Sequence, residues 1–156
     1  MTDEALIQRA IDLSRDHMRA NDGGPFGAVI AQKGEWIADG WNKVTSTNDP
    51  TAHAEVVAIR DACARLQTFS LAGCEIYTSC EPCPLCLAAI YWAHVDRIYF
   101  AATCDDAAAA GFDDRNFYRE LGLPANQRAK PMQQALRNEA LVALQQWTLK
   151  ADRIRY

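Results

Sequence analysis

Three side chains of the sequence form a donor set that suits a metal ion. A histidine stands in His53-Ala54-Glu55, and two cysteines stand in Pro82-Cys83-Pro84-Leu85-Cys86. An imidazole and two thiolates match the preferences of zinc, a borderline-soft ion that takes nitrogen and sulfur ligands. The sequence therefore predicts one Zn²⁺ per chain, held by His53, Cys83 and Cys86.

The local backbone favours this geometry at both cysteines. Pro84 disfavours helical dihedral angles at Cys83 and itself fits the first position of a helix. We expect Cys83 near the N-cap of that helix and Cys86 in its first turn, where the positive end of the helix dipole favours thiolates. His53 likewise stands at the start of the preceding predicted helix. Two helix N-termini can therefore meet over one metal ion.

A carboxylate follows the histidine by two residues. In the middle of a helix this spacing would point His53 and Glu55 apart, but at a helix entrance it can place one on the metal and the other beside it. A carboxylate next to an open zinc position can take a proton from water and return it to a substrate. Glu55 is therefore the predicted proton carrier.

Two other interpretations of the cysteines stay open on the residues alone. A redox Cys-x-x-Cys pair also lies at a helix start, but it does not explain His53 or Glu55. A closed, non-catalytic structural zinc module would use Cys80 as a fourth ligand, because Cys80, Cys83 and Cys86 are spaced by three. A fourth protein ligand would close the position that a catalytic water needs.

Apolar periodicity and turn residues divide the chain into helices and strands. Predicted helices cover residues 4–19, about 48–66, 83–93, 113–122 and 135–149, and predicted strands cover 26–31, 35–41, 75–79 and 97–101. The first two strands form an antiparallel hairpin, while strands joined through helices favour parallel neighbours. The order predicts an α/β fold in one domain, residues 1–156, with a mixed sheet between helices.

Length and composition restrict the class of protein. The 156 residues suffice for one core, and 49% hydrophobic with 23% charged residues is typical of a globular chain. The formal net charge of -4 disfavours a nucleic-acid partner. The longest uncharged apolar run, residues 82–95, is too short to cross a bilayer, and the acidic N-terminus does not look like a secretory signal. We expect a cytoplasmic protein without a membrane partner, whose cysteines are reduced or bind metal.

The pattern His-x-Glu followed by Pro-Cys-x-x-Cys is typical of zinc-dependent nucleobase deaminases. The chain resembles the cytidine deaminase superfamily and, within it, the bacterial guanine deaminases of that fold. The similarity includes residues 23–30, 48–55, 77–83, 89–93 and 110–114 and the C-terminal Tyr156. The zinc pattern indicates the superfamily, while Gly111-Phe112-Asp113-Asp114 and the terminal tyrosine point to guanine.

The resemblance implies a cytidine deaminase-like, three-layer α/β/α fold with a mixed five-stranded sheet. It also implies a homodimer in which a C-terminal segment, about 130–156, is exchanged between subunits. The implied reaction is the hydrolysis of a purine base, guanine, to xanthine and ammonia. A deaminase of cytosine or adenine, or a transfer-RNA adenosine deaminase, would share the same core. A transfer-RNA editor needs an open cleft and a basic surface, which the acidic composition disfavours.

The family's zinc ligands and proton shuttle fall on the four residues identified above, and further residues match its substrate site. Asn42 matches the asparagine that hydrogen-bonds the base, Asp114 an acidic residue near the exocyclic amine, and Tyr156 the C-terminal contact. Phe26 and Trp92 could stack on a purine. The structural alternatives are a turn asparagine for Asn42, a helix-capping aspartate for Asp114 and aromatic core residues for Phe26 and Trp92.

Overall fold

The computed structural model describes every residue from Met1 to Tyr156, in two units, Met1–Arg115 and Asn116–Tyr156. The first unit contains, in order, α1 (Asp3–Arg19), β1 (Gly27–Gln32), β2 (Glu35–Trp41), α2 (Val44–Thr47), α3 (Ala54–Leu66), β3 (Glu75–Cys80), α4 (Pro84–Trp92), β4 (Arg97–Ala102) and α5 (Cys104–Ala109). At its end begins α6 (Arg115–Gly122), and the second unit continues with a 3-10 turn (Ala125–Gln127) and α7 (Arg137–Leu149). A single domain over residues 1–156 stays a prediction.

The strands form one sheet in the order β2-β1-β3-β4. β1 pairs antiparallel with both β2 and β3, and β3 pairs parallel with β4. Because β2 and β3 both oppose β1, they run in the same direction, and α3 forms the crossover between them. α4 forms the crossover from β3 to β4. The predicted mixed sheet is confirmed.

The sheet has four strands, so the expected fifth strand is absent and that part of the fold prediction is wrong. After β4, the Thr103 hydroxyl accepts a hydrogen bond from the Asp106 N–H at 3.3 Å, and the Asp106 carboxylate accepts one from the Thr103 N–H at 2.8 Å. This reciprocal capping box starts α5 directly after the strand. All later regular structure is helical, so no segment remains to extend the sheet.

Helices cover both faces of the sheet. On one face, α1 packs Leu6 and Ala10 against Val29, Ala31 and Tyr77. On the other face, α3 and α4 share a larger buried cluster with the strands, which includes Ala28, Ile30, Ala38, Ala54, Ala58, Ala62, Ile76 and Ile90. The α/β/α layering is confirmed. None of the helices combines the length and the apolar character needed to cross a bilayer.

The helix that carries the histidine begins later than the predicted start near residue 48. Residues 44–47 form the separate helix α2, and Asn48 ends it in the left-handed conformation with φ 52°. The Asp49 carboxylate then accepts hydrogen bonds from the Thr51 N–H and hydroxyl, at 2.8 and 2.7 Å. Because this turn uses residues 49–51, the N-cap of α3 falls on His53.

The backbone of α3 comes very close to β2 at Gly40. A Cβ atom at this position would lie 2.1 Å from the Ala54 carbonyl oxygen and 2.5 Å from the Ala58 nitrogen. The missing side chain at Gly40 therefore permits the close packing that fixes the first turns of α3 on the sheet.

Gly40→Ala is expected to lower the free energy of unfolding by about 1–3 kcal/mol, because α3 must move away from the sheet. Gly122→Ala is the matched control, since nothing lies within 4 Å of the added Cβ. Alanine also favours a helix over glycine, by up to about 1 kcal/mol. Chemical denaturation of both variants measures the effect, and equal losses of stability would contradict the close-packing argument.

Candidate metal centre

Two helix N-termini supply the donor atoms, as the sequence predicts. His53 is the N-cap of α3 and Cys83 is the N-cap of α4, both with extended dihedral angles. Pro84 occupies the first position of α4. Neither N-cap side chain makes a capping hydrogen bond, so both are available for another partner. Cys86 lies in the first turn of α4 and is fully buried.

The distances within this group fit a tetrahedral zinc ion. His53 Nδ1 lies 3.5 Å from Cys83 Sγ and 3.4 Å from Cys86 Sγ, and all three donor atoms lie within 4.8 Å of one another. Zinc bonds of about 2.0 Å to nitrogen and 2.3 Å to sulfur separate such ligands by about 3.6 Å. The donor types and their spacing therefore both fit one Zn²⁺.

The protonation of these groups also favours metal binding. The hydrogen bond with Cys86, followed by that with His53, lowers the pKa of the Cys83 thiol to about 4 although burial opposes this. The contact with Cys83 raises the pKa of His53, and the Cys83–Cys86 hydrogen bond raises that of Cys86. The lowered pKa favours the thiolate form of Cys83, and the second thiol would lose its proton on zinc binding.

Glu55 lies beside the donor group and outside it. Its side chain is in the first turn of α3, is 7% exposed, and has Oε2 at 3.2 Å from Cys86 Sγ. Burial raises the pKa of its carboxyl group. A raised pKa makes a carboxylate a stronger proton acceptor, which suits the predicted proton carrier.

Cys80 is not part of the donor group, which consists of His53, Cys83 and Cys86. Its Sγ donates a hydrogen bond to the Thr103 carbonyl at 3.6 Å, and burial raises its pKa to about 11. The neighbouring Glu81 accepts a hydrogen bond from the Cys104 N–H at 2.9 Å, which ties the cysteine loop to the start of α5. The closed structural site therefore lacks its proposed fourth ligand, and a zinc position stays open for water.

Asp113 and Asp114 have different environments. Asp113 accepts hydrogen bonds from the backbone and guanidinium of Arg115, which lower its pKa to about 2. Asp114 Oδ1 is buried without a hydrogen-bond partner. Burial, followed by the charge of Cys83, raises the pKa of Asp114. Asp113 therefore stabilises the start of α6. Asp114 is a carboxyl group close enough to Cys83 for the charge of that ligand to affect its pKa.

Asn42 uses one end of its amide to hold the surrounding loops. It is 7% exposed, and its Oδ1 accepts hydrogen bonds from the N–H groups of Gly24 and Val44, both at 3.1 Å. These contacts fix the orientation of the amide, because only the oxygen can accept. The Nδ2 donor remains for a ligand, so the turn role and the binding role are compatible.

The three predicted aromatic contacts have different surroundings. Phe26 packs edge-to-face on Phe112, with ring centroids 4.9 Å apart, and also contacts the core. Trp92 is the last residue of α4, at the opposite end from Cys83, and is 66% exposed. Tyr156 lies in the second unit and is 74% exposed. The substrate roles of Phe26, Trp92 and Tyr156 stay predictions.

Two structural contacts near the site carry only weak sequence signals. Phe112 supports Phe26, and its only signal is an aromatic residue directly before an Asp-Asp pair. Glu81 holds the start of α5, and its only signal is its position before the Pro-Cys-x-x-Cys segment. Neither pattern by itself separates a structural role from a solvent-exposed residue.

Comparison of the sequence with known proteins gives both a family and relatives. The family described as the cytidine and deoxycytidylate deaminase zinc-binding region matches residues 1–102. The guanine deaminase of Bacillus subtilis (strain 168) is 49% identical over 156 residues, which are 100% of each chain. The tRNA-specific adenosine deaminase of Aquifex aeolicus (strain VF5) is 43% identical over 90 residues, 56% of this chain and 60% of that protein.

Solved structures give the same relationship for the fold. The X-ray structure of guanine deaminase from Bacillus subtilis matches with a TM-score of 0.96 and covers 100% of this chain and 99% of that chain. A guanine deaminase structure from Nitrosomonas europaea matches with a TM-score of 0.68 and 38% identity, over 71% of this chain and 64% of that chain. The similarity to the Bacillus protein thus extends beyond the zinc-binding region to the C-terminus.

Metal analysis of the purified chain is expected to give one zinc per chain. Cys86→Ser should lose most of the metal, because a thiolate ligand is replaced by a hydroxyl. Cys80→Ser is the matched control, since its hydroxyl can still donate to the Thr103 carbonyl and residue 80 lies outside the donor group. Equal zinc loss in both variants would instead support a closed structural site with Cys80 as the fourth ligand.

Proposed function

The chain belongs to the cytidine and deoxycytidylate deaminase family, and we propose that it uses one zinc ion to hydrolyse guanine to xanthine and ammonia. The observation that carries the reaction type is an open three-donor group with a buried carboxyl group beside it. The observation that favours guanine is the similarity to a guanine deaminase over 100% of both chains.

The overall reaction exchanges the exocyclic amine of guanine for oxygen. A bond forms between the oxygen of water and C2 of the ring, and the bond from C2 to the amine breaks. His53, Cys83 and Cys86 would hold the zinc ion, which when bound would supply an activated water nucleophile at neutral pH. The chain's own residues must supply proton transfers and hold the base in place.

Glu55 is placed for the first proton transfer. Its carboxylate accepts a proton from the attacking water and delivers it to N3 of the ring. Protonation makes C2 more electrophilic and prevents a full negative charge on the ring. The buried position of Glu55 suits both halves of this transfer, because its raised pKa reduces the cost of carrying the proton.

Asp114 is the candidate for the second transfer. The amine must gain a proton before it leaves as ammonia, and Glu55 lies on the side of the water. The buried Oδ1 of Asp114 has no partner within the chain, and burial raises the pKa of its carboxyl group. A protonated Asp114 can therefore donate to the leaving amine.

Asn42 would recognise the base. Its Nδ2 can donate to an acceptor on the edge of the ring, while Oδ1 stays bound to the two backbone N–H groups. A buried amide that loses its partner is costly, so a base without an acceptor at that position binds more weakly. Phe26, supported by Phe112, is an aromatic surface for the flat face of a purine.

We also propose a homodimer in the cytoplasm, in which the tail of each chain contributes Tyr156 to the site of its partner. Large apolar side chains are exposed on α4 and on the edge strand β4, namely Leu85, Tyr91, Trp92 and Phe100. Several large exposed apolar side chains on neighbouring elements are typical of a protein interface. Trp92 would then approach a substrate only within the dimer.

The wild-type chain is expected to release ammonia from guanine faster than from adenine, cytosine or cytidine. Glu55→Gln should retain zinc but lose about 10²- to 10⁴-fold in turnover, because an amide cannot carry the proton. Glu81→Gln is the matched control, since its amide oxygen can still accept from the Cys104 N–H. Preferred release from another base, or near-normal turnover by zinc-loaded Glu55→Gln, would overturn the proposal.

Deletion of residues 152–156 is expected to reduce guanine turnover much more than thermal stability. The segment is polar, so its removal costs little buried apolar area. The tail-deleted chain mixed with Glu55→Gln should form heterodimers in which one site combines an intact Glu55 with an intact tail. Activity above the sum of the two parents supports exchange between subunits. Activity equal to that sum, with heterodimers verified by mass, places the tail in its own subunit.

A further inference from the structure

The C-terminus of α1 is closed by a Schellman motif. The Asn21 N–H donates to the Met18 carbonyl at 3.1 Å, and the Asp22 N–H donates to the His17 carbonyl at 3.0 Å. Asn21 takes the left-handed conformation, with φ 61°. These two bonds are those of the motif, and they bring Asp22 back beside the last turn of the helix.

The His17 side chain joins three elements at this point. Its Nδ1 lies 2.6 Å from Asp22 Oδ2, and because a carboxylate only accepts, Nδ1 is the donor. Its ring stacks on Trp41 at the end of β2, with centroids 3.7 Å apart and an interplanar angle of 6°. Lys43 Nζ lies 4.3 Å from the centroid of the same indole. Both His17 and Asp22 are partly shielded from water, with side-chain exposures of 27% and 38%.

The loop after Asp22 packs directly on Asn42. The Gly24 N–H donates to Asn42 Oδ1, and a Cβ atom at Gly23 would lie 2.2 Å from the Asn42 carbonyl oxygen and 2.4 Å from Oδ1. Ser46 Oγ donates to the Asp22 carbonyl at 2.6 Å and fixes the other end of this contact. A shift of Asp22 must therefore change the position of the Asn42 amide.

We propose that His17 is a positioning residue for base recognition: through Asp22 it holds the Gly23-Gly24 loop against Asn42 and so aims the Asn42 amide at the substrate. The consequence for guanine rests on the proposed function, but the mechanical link between His17 and Asn42 does not. Trp41 completes the arrangement, since it stacks on His17 and directly precedes Asn42.

The link predicts a particular kinetic effect. Asn42 would contact the ring edge away from the bond that breaks, so its hydrogen bond is equally strong in the bound substrate and in the transition state. Loss of such an interaction raises KM and leaves kcat nearly unchanged. We expect about a tenfold rise in KM for guanine when His17 no longer holds Asp22, with kcat within about twofold.

Three variants separate the contacts of His17. His17→Phe keeps a ring to stack on Trp41 but removes the bond to Asp22. His17→Asn keeps a donor near the position of Nδ1 and should restore most of the wild-type behaviour. Arg9→Met is the matched control, because the contact from Arg9 Nε to Asp39 Oδ1 at 2.7 Å also joins α1 to β2 but does not reach Asn42.

The first measurement needs no substrate. Hydrogen exchange of the Gly24 and Val44 amides reports on Asn42, because both donate to its Oδ1. Exchange should be about tenfold faster in His17→Phe and near wild type in His17→Asn and Arg9→Met. Unchanged exchange in His17→Phe overturns the proposal, whether or not the chain acts on guanine. If His17→Phe does not fold, Asp22→Ala removes the same bond and takes its place.

The second measurement is a double-mutant cycle on KM with zinc-loaded enzyme. If His17 acts through Asn42, the double variant His17→Phe/Asn42→Ala has the KM of Asn42→Ala alone, whereas independent effects multiply. Arg9→Met should show no coupling to Asn42→Ala. Multiplying effects for His17 overturn the positioning role. Absence of ammonia release from guanine by the wild-type chain refutes the proposed function, and the exchange result then still decides the link.

Discussion

The meeting of two helix N-termini over one point is the contact on which the rest of the site depends. Both N-cap residues, His53 and Cys83, give their side chains to the donor group and leave their own helices without a side-chain cap. A cap is worth about 1 kcal/mol, so each helix forgoes a part of its stability. The capped helices α1 and α5, which begin after Thr2 and Thr103, show that the chain uses ordinary caps elsewhere. Metal binding offsets this loss, and the helix dipoles favour thiolates at the same place.

That meeting depends in turn on how closely α3 lies on the sheet. The buried face of α3 is made of Ala54, Ala58 and Ala62, and β2 offers Gly40 opposite its first turns. Small residues on both sides let the backbones approach, so backbone contacts set the height of His53 and Glu55 above the sheet. Large side chains would permit several packings within the same volume, whereas a backbone contact leaves little freedom.

The sequence could predict the helices and strands that surround the metal ligands, because proline placement and apolar periodicity are local signals. The sequence did not predict α2 and α5, because helices of four and six residues are too short to show the apolar periodicity of a helix. The expected fifth strand came from resemblance, and the Thr103–Asp106 capping box ends the sheet instead. The hydrogen bond from the Gly24 N–H to Asn42 Oδ1 could not be foreseen, because the two residues are eighteen positions apart, whereas the bond from the Val44 N–H is the local contact of a turn asparagine. Spacing along one chain also cannot encode contacts such as those proposed for Trp92 and Tyr156, which need a second subunit.

The proposed proton transfers require two carboxyl groups whose pKa is raised, and the chain provides each in a different way. Glu55 is shielded by the packing of α3 on the sheet, next to Cys86. Asp114 follows an aspartate that has its own cation: the hydrogen bonds from Arg115 lower the pKa of Asp113 to about 2, and one of them comes from the Arg115 backbone N–H at the start of α6. Oδ1 of Asp114 is buried and unpaired, and burial raises the pKa of this carboxyl group. An adjacent pair of aspartates therefore gives one permanently ionised anchor and one carboxyl group able to carry a proton, because only the first has a cation of its own.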